Sequence, residues 1–236
     1  MRIEVLAEQQ LAAHAAAILA ASLRAATAAR GRASIAFSGG STAGALLAAL
    51  ARADVPWDVV DVLQVDERIA PDGHPDRNLT TLQQHLLDEV PLSAARIHPM
   101  PVTSPDLDTA ARRYAGTLRE VAGDPPQLDV VHLGLGTDGH TASLTPGSAA
   151  LEPNHEPVVV TDAYEGRRRM TLTLPVLSGA RGLVWFVQGA AKAPMVRRLV
   201  AGDDTIPAGR VAAGNARLLL DTAAAAELGG GARPRQ

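Results

Sequence analysis

The sequence predicts an α/β fold, a largely parallel sheet with helices against both faces. Three observations predict it. Short apolar runs, often β-branched, recur along the 236 residues and suit strands covered on both sides. Helical patterns lie between several of them, the alternation expected of an α/β sheet. The balance of 47% hydrophobic and 20% charged residues belongs to a chain able to bury a sizeable core. No repeat and no Pro, Gly or Ser-rich linker divides it, so residues 1–228 are expected to form a single domain and 229–236 a disordered tail.

Taken in order, Ala7–Ala29 reads as an Ala-rich surface helix. Its length invites comparison with a signal peptide or a membrane span. Glu8, His14 and Arg24 interrupt it, however, and Glu4 precedes it where an export signal would carry positive charge. A cytoplasmic protein with no membrane partner is expected. Ser34–Phe37 follows as a strand, and Ala43–Ala51, built only of Ala, Gly and Leu, as a helix. Val59–Val65 is the next strand, then Leu79–Asp88 and Leu107–Val121 are helical stretches. Strands Leu128–Leu133, Val158–Thr161, Met170–Leu174 and Leu183–Val187 lead to a final helix, Ala191–Val200.

Composition excludes several classes of function. A net charge of −3 does not build a surface that neutralises nucleic acid, and 3% aromatics are too few for base-stacking platforms. With no cysteine there is no disulfide, thiol nucleophile or Cys-ligated metal. None of the 7 histidines falls in a metal-binding spacing such as H-E-x-x-H, and no G-x-S-x-G elbow supports a serine hydrolase. The expectation is an activity with no metal. The sequence carries no signal for oligomeric state.

In an open α/β sheet, ligands bind beyond the carboxyl ends of the strands, so the loops leaving strands are where chemistry is sought. Three are unusual. Ser38-Gly39-Gly40-Ser41-Thr42 runs from a strand into a helix. Its glycines let the backbone approach a ligand, and free N–H groups at the helix start favour an anion. A plain Ser/Thr N-cap would use the same residues. The Gly-Lys-Ser/Thr ending of a Walker loop is absent.

The second loop, Asp66–Asn78, begins Asp66-Glu67-Arg68. Two acids and an arginine there suit sugar hydroxyls and a phosphate, although a solvated charge cluster reads the same way. Asp66 and Glu67 are adjacent on an extended segment and point to opposite sides, so a glycosidase pair flanking one bond is not expected.

The third, Gly134–Gly147, contains a formal G-x-G-x-x-G from Gly134 to Gly139. A dinucleotide fingerprint needs a helix at once, and Pro146-Gly147 interrupts instead. The remaining readings are a glycine-rich shelf presenting His140, with Asp138 close enough to orient it, or a His that merely caps a turn. A histidine is suited to taking a proton from water at neutral pH. His132, inside a strand, reads as a packed core residue. Arg167-Arg168-Arg169 precedes one strand, and Lys192, the only lysine of the chain, follows another at a helix start. That placement suggests a phosphate contact, and an ordinary surface lysine is the alternative.

Five motifs therefore occur in order: Ser38–Thr42, Val65–Arg68, Gly136–Leu144, Arg169–Pro175 and Gly189–Lys192. Together they make the chain resemble the 6-phosphogluconolactonase family over nearly its whole length, to Pro207–Val211. The resemblance implies a three-layer α/β/α sandwich, Rossmann-like with a mostly parallel sheet, shared with hexosamine-6-phosphate deaminases. It implies hydrolysis of a small-molecule partner, the sugar-phosphate lactone 6-phospho-D-glucono-1,5-lactone, to 6-phosphogluconate in the oxidative pentose phosphate pathway, without a cofactor. His140 falls on the family's general base with Asp138 beside it. Arg68, Arg169 and Lys192 fall on its substrate and phosphate contacts; the reading of the first two loops adds Ser38, Gly39, Gly40, Ser41, Thr42 and Asp66 to the expected substrate-binding residues. One departure is visible: Arg77-Asn78 stands where Ser-Asn is frequent, so Arg77 receives no role. Two rivals share the ligand type. A deaminase would carry a glutamate before the proline where Thr145 stands here, and a sugar-phosphate sensor would need a DNA-binding segment that the sequence lacks.

Overall fold

The computed structural model describes residues 1–40, 42–152, 155–212 and 214–229, so Ser41 and nearly all of the expected tail lie outside the described residues. Seven strands form the main sheet: β1 (Arg2–Leu6), β2 (Ala33–Phe37), β3 (Val60–Gln64), β5 (Ile97–His98), β6 (Val130–Leu133), β9 (Leu183–Val187) and β10 (Ala216–Asp221). Their spatial order is β1-β10-β9-β6-β2-β3-β5, and every pair is parallel. All their carboxyl ends thus open on one edge. That edge positions the site.

The apolar runs are continuous because the sheet is covered twice. In β9, Leu183, Trp185 and Val187 enter one core while Val184 and Phe186 enter the other. In β2, Ala36 faces the first and Ile35 and Phe37 the second. Helices α1 (Glu8–Arg30) and α2 (Ala43–Ala51), with the short α3 (Asn78–Leu82) and the π turn Gln83–Leu87 after it, close the second core. The first is closed by α4 (Leu107–Ala122), α5 (Leu174–Ser178) and α6 (Ala193–Val200). This is a three-layer α/β/α sandwich with a parallel central sheet.

Local signals explain the helix limits. α1 ends at Gly31, whose left-handed φ of 72° lets its N–H reach the Thr27 carbonyl. α1 is long and apolar enough to cross a membrane by length and composition. Its stripe of Leu11, Ala15, Leu19, Leu23 and Ala26 instead packs into the second core. α4 starts where the Asp106 carboxylate accepts from the Thr109 N–H at 3.0 Å.

Three features depart from the sequence reading. Val158–Thr161 and Met170–Leu174 are strands, but they form a separate antiparallel sheet rather than joining the parallel one. β7 (Val158–Val160) pairs with β8 (Arg169–Leu172), and β8 pairs with β4 (Asp66–Arg68), a stretch read as loop. β8 stops at Leu172 because Thr173 is the N-cap of α5 and Pro175 sits in its first turn. Finally β1, β5 and β10 were not expected; β1 and β5 are the two edges of the main sheet.

Candidate active site

The loop after β2 reaches the cleft with glycine where nothing larger fits. A Cβ on Gly39 would lie 1.9 Å from Asn78 Oδ1. Gly39, Gly40 and Thr42 line the cleft at the start of α2, and the Thr42 hydroxyl makes no capping hydrogen bond. The N-cap alternative is therefore not realised by Thr42. The N-terminal end of α2, where helix N–H groups lack intrahelical partners, opens on the cleft.

β4 separates its two acids as adjacent residues on an extended segment require. Asp66 lines the cleft and is buried, with Oδ1 accepting from Ser38 Oγ at 3.2 Å and Oδ2 from Ser143 Oγ at 2.6 Å. It ties the first and third loops together. Glu67 turns into the protein, fully buried, and accepts from the N–H groups of Arg68, Asn78 and Leu79 and from Gln64 Nε2, at 2.7–2.9 Å. Arg77, also buried, pairs with it at 3.0 Å and donates to the Ala70 carbonyl. A buried carboxylate so fully partnered fixes the backbone around it. It sets Asn78, whose Nδ2 donates to the Asp66 carbonyl at 2.8 Å.

The glycine shelf after β6 carries His140. Its Nδ1 lies 2.6 Å from Asp138 Oδ1, and its backbone N–H donates to the same oxygen at 3.1 Å. An ionised carboxylate only accepts, so Nδ1 carries the hydrogen, and in the neutral imidazole the lone pair is then on Nε2. Burial works against the charge on Asp138, but the hydrogen bonds and charge of His140 and the Tyr164 hydroxyl outweigh it and hold the carboxyl below its usual range. Gly136 lies directly beneath: a Cβ there would stand 2.1 Å from Nδ1. No helix follows the G-x-G-x-x-G; the next helical turn is Ala149–Leu151.

Three cations face this pair's cleft. Arg169 is buried at the start of β8, donates to Glu165 at 3.0 Å, and keeps a buried Nε with no partner. Arg68 donates through Nη1 to the Asp76 carbonyl at 2.7 Å, and its buried Nε is likewise unpartnered. Lys192 closes the turn Ala190–Lys192 and has no ion pair among the described residues. Burial lowers its pKa, against the opposing pull of Asp138 and Glu165. The other two arginines of the triplet point elsewhere, Arg167 to Asp76 at 2.7 Å and Arg168 to the Thr161 carbonyl.

The cleft thus gathers Ser38, Gly39, Gly40, Thr42, Asp66, Arg68, His140, Arg169 and Lys192, with Asp138 against His140 from outside the lining. Ser41 lies outside the described residues. Sequence reasoning missed Ser143, the anchoring of Glu67, and Asp221, which accepts from the Gly189 N–H at 3.0 Å and so braces the turn bearing Lys192. It also missed Tyr164, one of only 2 tyrosines, whose rarity and position before a glycine-bearing turn were the available signal. His132 is a packed core residue as expected, buried between Phe37 and Phe186 with ring centroids 6.0 and 6.3 Å away.

Comparison with known proteins bears on the family and the fold. Residues 7–220 match the family model of glucosamine-6-phosphate isomerases/6-phosphogluconolactonase. A 6-phosphogluconolactonase of Streptomyces coelicolor is 36% identical over 94% of this chain and 92% of its own. One of Mycobacterium tuberculosis is 38% identical over 89% and 91% respectively. Among solved structures, the 6-phosphogluconolactonase of Trypanosoma brucei superposes with a TM-score of 0.85 at 28% identity, covering 96% of this chain and 98% of that one. A monomeric glucosamine-6-phosphate deaminase shares the fold, with a TM-score of 0.81 at 18% identity over 96% of this chain and 100% of that one.

Proposed function

The chain belongs to the family of glucosamine-6-phosphate isomerases and 6-phosphogluconolactonases and is an enzyme of its lactonase branch, and from that premise we propose that it hydrolyses 6-phospho-D-glucono-1,5-lactone by activating water on His140. The observation that carries the mechanism is the Asp138–His140 pair, 2.6 Å apart, facing the same cleft as Lys192 and the unpartnered Nε of Arg68 and Arg169. A base and an anion clamp in one cleft suit an ester whose phosphate lies several atoms from the reacting carbon.

Lys192, Arg169, Arg68 and the α2 start hold the 6-phosphate, and that grip places C1 near His140. Asp138 keeps the proton on Nδ1, so Nε2 draws one from a water molecule. The water oxygen bonds to C1, the bond from C1 to the ring oxygen breaks, and the departing oxygen takes the proton from the imidazolium. Lactone and water give the open acid with nothing left over. No metal, cofactor or covalent enzyme intermediate enters the scheme. We place the reaction in the cytoplasm, in the oxidative pentose phosphate pathway.

The test is hydrolysis of freshly made lactone, corrected for spontaneous opening. General-base catalysis is worth about 10²–10⁴ in rate, so His140→Ala should lower kcat by at least about 10² with KM moving far less. Near-normal turnover in a folded variant overturns the assignment.

A further inference from the structure

We propose that Tyr164 is a positioning residue for this reaction: its hydroxyl fixes the outer oxygen of Asp138, and through it His140, while its ring seats Arg169. The proposal rests on the reading of His140 as the base.

The contacts divide the two roles between two parts of one side chain. The hydroxyl donates to Asp138 Oδ2 at 3.0 Å, while Oδ1 serves His140. The ring meets the imidazole edge-on, centroids 5.5 Å apart at 68°. The Arg169 guanidinium carbon lies 4.9 Å from the same ring's centre. One side chain therefore touches the acid, the base and a cation of the anion clamp.

Its position is set by backbone. Tyr164 and Arg167 exchange hydrogen bonds of 2.9 and 3.3 Å around a two-residue turn, with Glu165 at φ 51° and Gly166 at φ 78°. Both central residues with positive φ make the tight turn that suits a twisted hairpin. The far side of the turn is tethered by Arg167 to Asp76 at 2.7 Å.

The need for such a brace follows from the chemistry of Asp138. The terminal torsion of an aspartate is soft, and its side chain here is 32% exposed. With only His140 as partner, a residue two positions away, the carboxylate can turn its second oxygen toward solvent and take the imidazole out of line. The Tyr164 hydroxyl occupies that second oxygen. Burial, then the hydrogen bond to Asp138 and that carboxylate's charge, raise the Tyr164 pKa, so the phenol stays a donor across the neutral range.

The experiment compares Tyr164→Phe, Tyr164→Ala and His140→Ala in lactone kinetics, in calorimetry with 6-phosphogluconate, and in the NMR signal of the His140 Nδ1 proton. Tyr164→Phe keeps the ring, so KM and product affinity stay at the parent values while kcat falls about tenfold. Tyr164→Ala also loses the seat of Arg169, which adds an increase of about 3–10-fold in KM and product Kd. In both variants the downfield Nδ1 proton moves upfield or broadens. Parent kcat and an unmoved proton in Tyr164→Phe, with His140→Ala impaired, overturn the role of Tyr164 alone. Equal loss of kcat and product affinity in Tyr164→Phe reduces it to a structural residue and overturns it too. A fully active His140→Ala removes the base reading, and this proposal with it.

Discussion

At the scale of single residues, the absence of a side chain matters as much as the Asp138–His140 pair. Gly136 has no unusual backbone requirement, yet an added Cβ would meet His140 Nδ1 at 2.1 Å and Asp138 Oδ1 at 2.5 Å. Neither atom is the loose end of a long chain, because each is held by the other and Tyr164 holds the same carboxylate at Oδ2. Gly136→Ala should therefore push the imidazole off its line. A misplacement of about 1 Å can cost roughly a hundredfold in rate, so kcat should drop by about 10–100-fold. KM should change little, since the cations lie on other loops, and lactone kinetics beside a thermal melt will separate misplacement from unfolding. Parent kcat would mean that the pair does not rest on Gly136 during turnover. Legibility at this scale follows sequence distance. Asp138 and His140 are two residues apart and were readable as a pair. Tyr164 reaches Asp138 across 26 positions and Ser143 reaches Asp66 across 77, contacts that only the fold creates.

At the scale of elements, the strands that were readable are those whose apolar residues are continuous because both faces are covered, as in β2, β3, β6 and β9. The edges of the main sheet and the short β4 were not, although the three-residue β7 was. β1 and β5 are the sheet's edges, β4 has 3 residues, and the Leu run of β10 is too short to be told from helix by periodicity. β6 carries one polar side chain in this dry environment. His132 is 2% exposed, and neither ring nitrogen has a hydrogen-bond partner. Burial lowers its pKa to about 4, opposed only in part by the Ser38 backbone. Between that value and the unfolded value of 6.5 the unfolded chain binds more protons, so stability rises with pH. Stability attributable to His132 is complete above about pH 6.5, falls on acidification, and is lost by about pH 4, a change of roughly 3 kcal/mol. Replacing it with an apolar residue of similar volume, His132→Leu, should flatten that limb and raise stability at pH 5 relative to the parent. Denaturant melts at pH 5 and pH 7.5 will measure it. Equal acid sensitivity in the two proteins would assign the limb to other groups.

At the scale of the whole molecule, the sandwich brings four strand-end loops to one edge, and the proposed anion clamp there would grip any sugar phosphate in the same way. A deaminase is built on this fold as well, so architecture alone does not choose the chemistry. The choice lies in what surrounds His140. The resemblance of the His140 loop places the deaminase's relay glutamate at the residue before the proline, and here that residue is Thr145, buried before Pro146. A threonine hydroxyl does not ionise near neutrality, so it cannot partner the imidazole as an anion would. The anionic partner in this structure is Asp138, on the Nδ1 side, and in the proposed mechanism Nε2 is the atom that works on water. Glucosamine-6-phosphate should therefore bind through its phosphate and compete with the lactone, yet release no ammonia and no fructose-6-phosphate. The measurement is ammonia and fructose-6-phosphate production from glucosamine-6-phosphate, beside lactone hydrolysis in the same preparation. Ammonia release without lactone hydrolysis would reverse the assignment. Lactone hydrolysis with glucosamine-6-phosphate acting only as an inhibitor would locate the branch between the two chemistries at residue 145, on a scaffold that is the same for both.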